Sequence, residues 1–168
     1  GYNALFKNTT GTQNTSLGAN TGKAQTTADN CTWIGNDAGL VNTASNNTGI
    51  GAGSLRANTT GTRNTALGCG IYGATHGPLG SNTTGTRNTA LGVLTLRSNT
   101  TASNNTAIGA EALADNTTGT QNTAVGTYAL DANTTADNNT AIGYQALTDN
   151  TTGTQNIAVG TQALQNNV

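Results

Sequence analysis

Residues 139–147 read Asn-Thr-Ala-Ile-Gly-Tyr-Gln-Ala-Leu, and this segment contains the motif that repeats throughout the chain. Variants of its first five residues, with Ile, Val or Leu before the Gly, return along the whole chain. The Gly column falls at positions 1, 18, 35, 51, 68, 92, 109, 126, 143 and 160. The unit is therefore 17 residues long, with one deletion and one insertion of seven. Such a fixed period is typical of folds in which each repeat stacks on the next.

The repeat, called a coil below, has a set of constant columns when its places are numbered from the Gly at place 1. Place 5 is Leu in eight of ten coils, place 8 is Asn in nine of ten and place 14 is Asn in eight of nine. Places 11 to 13 read either Gly-Thr-Gln/Arg or Ala-Asp/Ser-Asn. These two types alternate strictly between residues 85 and 155, which gives a double unit of 34 residues. A helical hairpin of that length is excluded, because Gly, Thr and Asn are poor helix formers and no stretch has apolar residues at helical spacing.

A short repeat rich in Thr, Gly and Asn suits one turn of a parallel β-solenoid, in which coils stack at ~4.8 Å, the distance between neighbouring strands. The sequence predicts an all-β domain over residues 1–168, a β-roll or β-helix of about ten 17-residue coils. Residues 19–81 hold the irregular coils, with an inserted loop at 71–77, and residues 82–168 hold the regular ones. We expect the domain to be a segment of a longer fibre.

The strand is expected in the Asn-Thr-Ala-Ile-Gly segment, where side chains alternate between the two faces. We expect place 17 to point inward, place 16 to point outward, and Leu at place 5 to form a second inward column. The first inward column would consist of Leu17, Ile34, Ile50, Leu67, Leu91, Ile108, Val125, Ile142 and Val159.

The Asn columns at places 8 and 14 predict two stacked amide ladders, because each amide can donate to one neighbouring coil and accept from the other. At place 8 the ladder residues are Asn8, Asn58, Asn82, Asn99, Asn116, Asn133 and Asn150. At place 14 they are Asn64, Asn88, Asn105, Asn122, Asn139 and Asn156.

Composition limits what the chain can do. Thr, Asn, Ala and Gly make up 108 of 168 residues, whereas Leu, Ile, Val and Phe together number 25. So thin a core favours association of several chains, and small side chains at places 4 and 16 would let neighbouring rods approach closely. We expect self-association as a homotrimer or a filament.

Charge and chemistry exclude further classes. Charged residues are 8% and the net charge is −1, which argues against nucleic acid and anionic membranes as partners. No apolar run approaches the ~20 residues of a membrane span, so no membrane insertion is expected. One His, two Cys, one Glu and six Asp leave few catalytic or metal constellations, and neither a cofactor nor a metal is expected.

Three residues in the irregular coils are candidate contact residues. Trp33 stands at place 16 between the small residues Ser16 and Gly49, either as a packing or interface anchor or as a stacking platform for a sugar or another partner. Tyr72 and His76 lie in the inserted loop, and loops on rigid scaffolds often carry function.

The segment from Asn139 to Leu147 resembles the Ser-Val-Ala-Ile-Gly-x-x-Ala repeats of YadA-like heads, which belong to the trimeric autotransporter adhesins of bacterial surfaces. It is also similar to repeats of phage-type tail fibres. The resemblance covers essentially the whole chain and implies a left-handed parallel β-roll, a trimer and a role in attachment. The family's coil is shorter than this one, and Thr stands here where the adhesins favour Val.

Three functional classes compete. The first is a structural fibre or adhesin, a rigid extracellular, cell-surface or virion rod for attachment or filament assembly, with a cell-surface or glycan receptor. The alternative is an ice-binding solenoid that uses stacked Thr columns; the place-9 column comprises Thr9, Thr59, Thr83, Thr100, Thr117, Thr134 and Thr151. An enzyme is not expected, because a solenoid glycosidase needs paired carboxylates and the acids here are scattered.

Overall fold

The computed structural model describes residues 1–70 and 77–167, which form one parallel β-sheet of nine three-residue strands in chain order. The strands are β1 (Thr15–Leu17), β2 (Thr32–Ile34), β3 (Thr48–Ile50), β4 (Thr65–Leu67), β5 (Thr89–Leu91), β6 (Thr106–Ile108), β7 (Thr123–Val125), β8 (Thr140–Ile142) and β9 (Ile157–Val159). Each strand pairs only with its neighbours in sequence. The chain is therefore a parallel β-solenoid, as predicted, with about eight turns instead of ten.

The coils stack place on place. Thr15 pairs with Thr32 and Leu17 with Ile34, so identical places of successive coils lie side by side. The same register holds across the long step between Thr65 and Thr89, where seven extra residues are present. The longer step therefore leaves the register of β4 and β5 unchanged.

Hydrogen bonds between coils continue around the rest of the cross-section. The backbone N–H of Leu130 donates to the carbonyl of Ala146 at 3.0 Å, and that of Thr117 donates to Thr134 at 2.9 Å. On the sheet side, the N–H of Gly126 donates to Ile108 at 2.8 Å. Strands of only three residues are sufficient because the turns between them are also tied to the next coil.

The turns require left-handed backbone at places 3, 5 and 13, where residues other than Gly have φ between 48° and 64°. This includes Leu113 at place 5, with φ 54°. A left-handed residue other than Gly costs roughly 1–2 kcal/mol. Full burial of a Leu side chain stabilises the folded state by ~1.5–3 kcal/mol, which explains why a large apolar residue occupies this strained place.

Place 1 admits only Gly for two reasons. Gly109 has φ 128°, a conformation that L-residues rarely adopt. A Cβ on Gly109 would also lie 2.6 Å from the backbone of Gly126 in the next coil. The invariant Gly therefore sets how closely the coils approach at this corner.

The predicted orientation of the strand residues is wrong: place 16 points inward and place 17 points outward. The central residues of the strands, such as Ala107 and Ala124, are completely buried. The residues predicted as core are half-buried or exposed on the outer face of the sheet: Leu17, Ile34, Ile50, Leu67, Leu91, Ile108, Val125, Ile142 and Val159. The physical reason is space, since the place-5 Leu column already fills the interior opposite the sheet and leaves room for Ala only.

The core consists of the place-5 leucines and small residues. Leu55, Leu79, Leu96, Leu113, Leu130 and Leu147 have no exposed surface. Small residues at places 4 and 16, such as Ala129 and Ala141, pack against them. The expectation that places 4 and 16 face a neighbouring rod is therefore also wrong.

We predict that Leu113→Ala lowers the free energy of unfolding by ~2–5 kcal/mol, because it removes a buried side chain and leaves a cavity. Ile108→Ala, on the outer face, serves as the control and should cost far less. Both values come from denaturant unfolding of the isolated chain at low concentration. A larger loss for Ile108→Ala than for Leu113→Ala would contradict the assigned orientation.

Candidate interaction surface

The outer face of the sheet, called the sheet face below, consists of two columns. Place 15 is Thr in eight strands and Ile157 in the last. Place 17 is aliphatic in all nine strands. Leu67, Leu91, Ile108 and Ile142, in the middle of the rod, are 36–42% exposed. The sheet face is therefore a continuous strip of methyl groups bordered by hydroxyls.

The sheet face carries no charge, since every residue at places 15 and 17 of the nine strands is Thr, Ile, Leu or Val. Nine strands at ~4.8 Å make it about 40 Å long, and three residues make it about 10 Å wide. An area of roughly 400 Å² is comparable to the largest apolar patch of a typical monomer, and such patches are often functional.

The buried Asn residues at place 8 form an amide-to-amide ladder. The Nδ2 of Asn82 donates to Oδ1 of Asn58 at 2.7 Å, and Asn99 donates to Asn82 at 2.8 Å. Each Nδ2 also donates to the place-11 carbonyl of its own coil, as from Asn82 to Gly85 at 3.0 Å. The bonds continue through Asn116, Asn133 and Asn150. At the start of the column, Asn8 bonds Gly11, and its Oδ1 is buried without a partner.

The place-14 column works differently, because its amides bond to backbone. The Oδ1 of Asn88 accepts the backbone N–H of Asn105 at 3.0 Å, and the Nδ2 of Asn88 donates to the carbonyl of Ala102 at 2.8 Å. The same acceptor pattern links Asn64, Asn88, Asn105, Asn122, Asn139 and Asn156. These side chains thus complete the backbone hydrogen bonding just before each strand.

The alternation of two coil types also has a hydrogen-bonding basis that sequence reasoning missed. The Oδ1 of Asp137 accepts both the N–H and the hydroxyl of Thr120 in the preceding coil, at 2.5 and 2.9 Å. Ser103 Oγ accepts the N–H of Thr86 in the same way at 2.9 Å. The strict alternation of Thr with Asp or Ser at place 12 was the feature of the sequence from which this hydrogen bond could have been predicted.

Trp33 is not a contact residue. Its side chain is completely buried, and its indole Nε1–H donates to Oε1 of Gln25 at 2.8 Å. The interpretation of Trp33 as a packing residue is therefore correct, and its interpretation as an exposed stacking platform is wrong. The other two candidate contact residues, Tyr72 and His76, lie outside the described residues.

Most of the place-9 threonines donate their hydroxyl protons to a backbone carbonyl of the next coil. The Oγ1 of Thr117 donates to the carbonyl of Thr134 at 3.0 Å, and Thr83 donates to Thr100 at 3.0 Å. By contrast, within residues 1–70 and 77–167 the place-15 Thr hydroxyls take part in no hydrogen bond with the chain, as for Thr106 and Thr123. In the described part of the chain, the sheet face therefore presents one column of free hydroxyls, and the exposed place-10 threonines, such as Thr101 and Thr118, present another.

One charged cluster lies beside the regular coils. The Nη2 of Arg97 is 2.7 Å from Oδ1 of Asp115, and its Nη1 is 3.2 Å from Oε2 of Glu111. Asp131 lies nearby with its Oδ1 buried and without a hydrogen-bond partner. Burial, and secondly the charge of Asp115, raise the pKa of Asp131 to about 6, although Arg97 opposes the shift.

The described part of the chain contains no group of three or more His, Cys, Asp or Glu side chains placed to hold a metal ion. It also contains no helix long and apolar enough to cross a membrane. Cys31 is buried and Cys69 is exposed, and neither forms a disulfide. Comparisons with family models, curated proteins and solved structures returned no significant match.

We predict that Asn116→Ala destabilises the rod by several kcal/mol, because it leaves the buried Oδ1 of Asn99 without its donor and removes one of the two acceptors of Asn133 Nδ2, at ~1–3 kcal/mol per group. Thr118→Ala, an exposed substitution in the same coil, should change stability by less than ~0.5 kcal/mol. Thermal and denaturant unfolding measure both. Equal losses would mean that the ladder contributes nothing specific.

We also predict a pH dependence from Asp131. Its folded-state pKa of about 6 exceeds the unfolded value of 3.8, so folding favours the protonated form. Stability from this group is fully present below pH 3.8 and is lost as pH rises through about 6. Asp131→Asn should flatten that part of the stability profile, whereas Asp149→Asn, at an exposed position, should leave it unchanged. An unchanged profile in Asp131→Asn would contradict the assignment.

Proposed function

We propose that the chain is a structural rod, displayed outside the cell or on a virion, that builds an attachment fibre by associating with further copies of itself through the sheet face. The observation that carries this proposal is the aliphatic column at place 17, which runs uninterrupted over nine strands and is half-buried or exposed throughout. Apolar surface in water favours burial at ~25 cal/mol per Å². An uncharged strip allows two copies to meet without desolvating an ion.

The size of the sheet face favours a trimer over a pair. A stable interface buries ~800 Å² on each partner, about twice the roughly 400 Å² available on this face. In a trimer every copy contacts two others, and the coil sides flanking the sheet face join the interface. Filament assembly is the second form of the same proposal. The role assigned is mechanical, and a cell-surface or glycan receptor would contact the outer sides of the assembled rods.

Ice binding is the second candidate function. It is favoured by the place-15 hydroxyls, which are free of intrachain hydrogen bonds and stand beside the place-17 methyl groups on a regular parallel sheet. The two candidates use the same surface but differ in assembly, because an ice-binding face must stay accessible in solution.

The test is the molar mass of the chain by light scattering after size exclusion. We expect three copies or a larger polymer. Ile108→Asp with Ile142→Asp should reduce the mass to that of one chain, because each places a charge in the apolar strip. Thr101→Asp with Thr135→Asp adds the same charges to the same coils on another exposed side and should leave the assembly intact.

A monomeric parent chain would contradict the assembly proposal. Ice shaping by that monomer, abolished by the Ile108 and Ile142 changes and retained by the Thr101 and Thr135 changes, would support the second candidate instead.

A further inference from the structure

The coils around Trp33 depart from the repeat at several places at once, and the departures fit one another. Place 16 holds Trp33 where most coils have Ala. Place 5 holds Gly22 and Gly39 where all eight other coils have Leu, and place 16 of the next coil holds Gly49. Place 8 holds Gln25 where every other coil has Asn. These five residues are called the Trp cassette below.

The three glycines of the cassette make the space that the indole occupies. A Cβ on Gly22 would lie 2.7 Å from Cδ1 of Trp33, and one on Gly39 would lie 2.5 Å from Cδ2. A Cβ on Gly49 would lie 2.9 Å from Cε3. The indole therefore fills the volume that two place-5 leucines and one place-16 alanine fill elsewhere.

Gln25 makes the buried indole compatible with the Asn ladder. Its Oε1 accepts the indole N–H at 2.8 Å, and its Nε2 donates to the carbonyl of Ala28 at 2.9 Å. The second bond is the one that Asn makes at place 8 in other coils. The extra methylene of Gln thus reaches the indole without giving up the bond to the place-11 carbonyl.

In a chain of near-identical coils, one coil can stack on the wrong partner, and the Trp cassette opposes this error. Because the coils stack place on place, a chain that skips one coil can rebuild the same ladders between the coils that remain. The Trp cassette does not allow this. If β2 stacked directly on β4, the indole would meet Leu55 and Ala66 in place of Gly39 and Gly49.

We propose that the Trp cassette is a register lock: it makes one pairing of the first coils sterically permissible and thereby prevents slippage by a whole coil during folding. The lock lies among the irregular coils, and the regular coils from residue 82 onward contain no comparable group of Trp and Gly residues.

The test uses a pair of cysteines that reports slippage, in a Cys69→Ser background with buried Cys31 retained. Ile34 and Leu67 lie on the sheet face two coils apart, at ~9.6 Å. A disulfide needs Cα atoms within ~7 Å, so Ile34→Cys with Leu67→Cys bridges only when β2 stacks directly on β4. The positive control, Ile34→Cys with Ile50→Cys, joins adjacent coils and should bridge.

The reporter pair is compared between the natural cassette and a consensus cassette made by Gly22→Leu, Gln25→Asn, Trp33→Ala, Gly39→Leu and Gly49→Ala. Each full-length chain is refolded from denaturant at low concentration and oxidised, and the intrachain disulfide is counted by mass spectrometry. We expect at least a fivefold higher yield of the 34–67 disulfide in the consensus chain. Equal yields would overturn the proposal.

A second variant keeps the test decisive where the five changes prevent folding. Trp33→Phe retains the glycines and an aromatic ring but leaves part of the space open and loses the bond to Gln25. It should raise the 34–67 yield above that of the natural cassette. A yield as low as that of the natural cassette, in a chain that melts at a lower temperature, would assign Trp33 to packing alone and overturn the register lock.

Discussion

Successive coils stack with identical places side by side, and buried side-chain amides complete the hydrogen bonds between them. The other features of the fold follow from this arrangement. Each coil bends at several corners within 17 residues, and every corner leaves backbone groups that no three-residue strand can pair. Asn105 and Asn122 show how this is solved, since each accepts a backbone N–H from the next coil and donates to a backbone carbonyl of that same coil. A buried polar group without a partner costs ~1–3 kcal/mol, so the amide columns are as necessary as the leucines.

The period, the parallel solenoid and the two Asn columns were readable in the sequence, because each follows from the identity of residues at fixed spacing. The direction in which the strand side chains point could not be predicted from the sequence. A three-residue strand gives only one alternation, and its pattern of Thr, Ala and Ile fits either orientation until the opposite wall is known. Leu130 forms that wall from a left-handed backbone at φ 56°, a conformation that propensity arguments do not assign to Leu.

The same ambiguity affected the candidate site. Because the sequence predicts place 16 as outward, it leaves Trp33 open as a packing or interface anchor or as a stacking platform, yet Trp33 is the most voluminous side chain in the core. The glycines that accommodate it were visible as exceptions in the Leu column, but only the three-dimensional neighbourhood connects Gly39 with Trp33. The outward strip of Ile108 and Ile142 was visible as a column as well, although it was assigned to the wrong side of the sheet.

The hydrogen bonds that the place-12 Asp and Ser side chains accept limit how the number of coils can change during evolution. Thr120 donates to Asp137, and Thr86 donates to Ser103, so each coil of one type is completed by a following coil of the other. Between residues 85 and 155, duplicating or deleting a single 17-residue coil would place two coils of the same type together and break that pairing. In this region the unit that can be duplicated or deleted without breaking the pairing is therefore two coils. We expect related rods to differ in length by multiples of 34 residues.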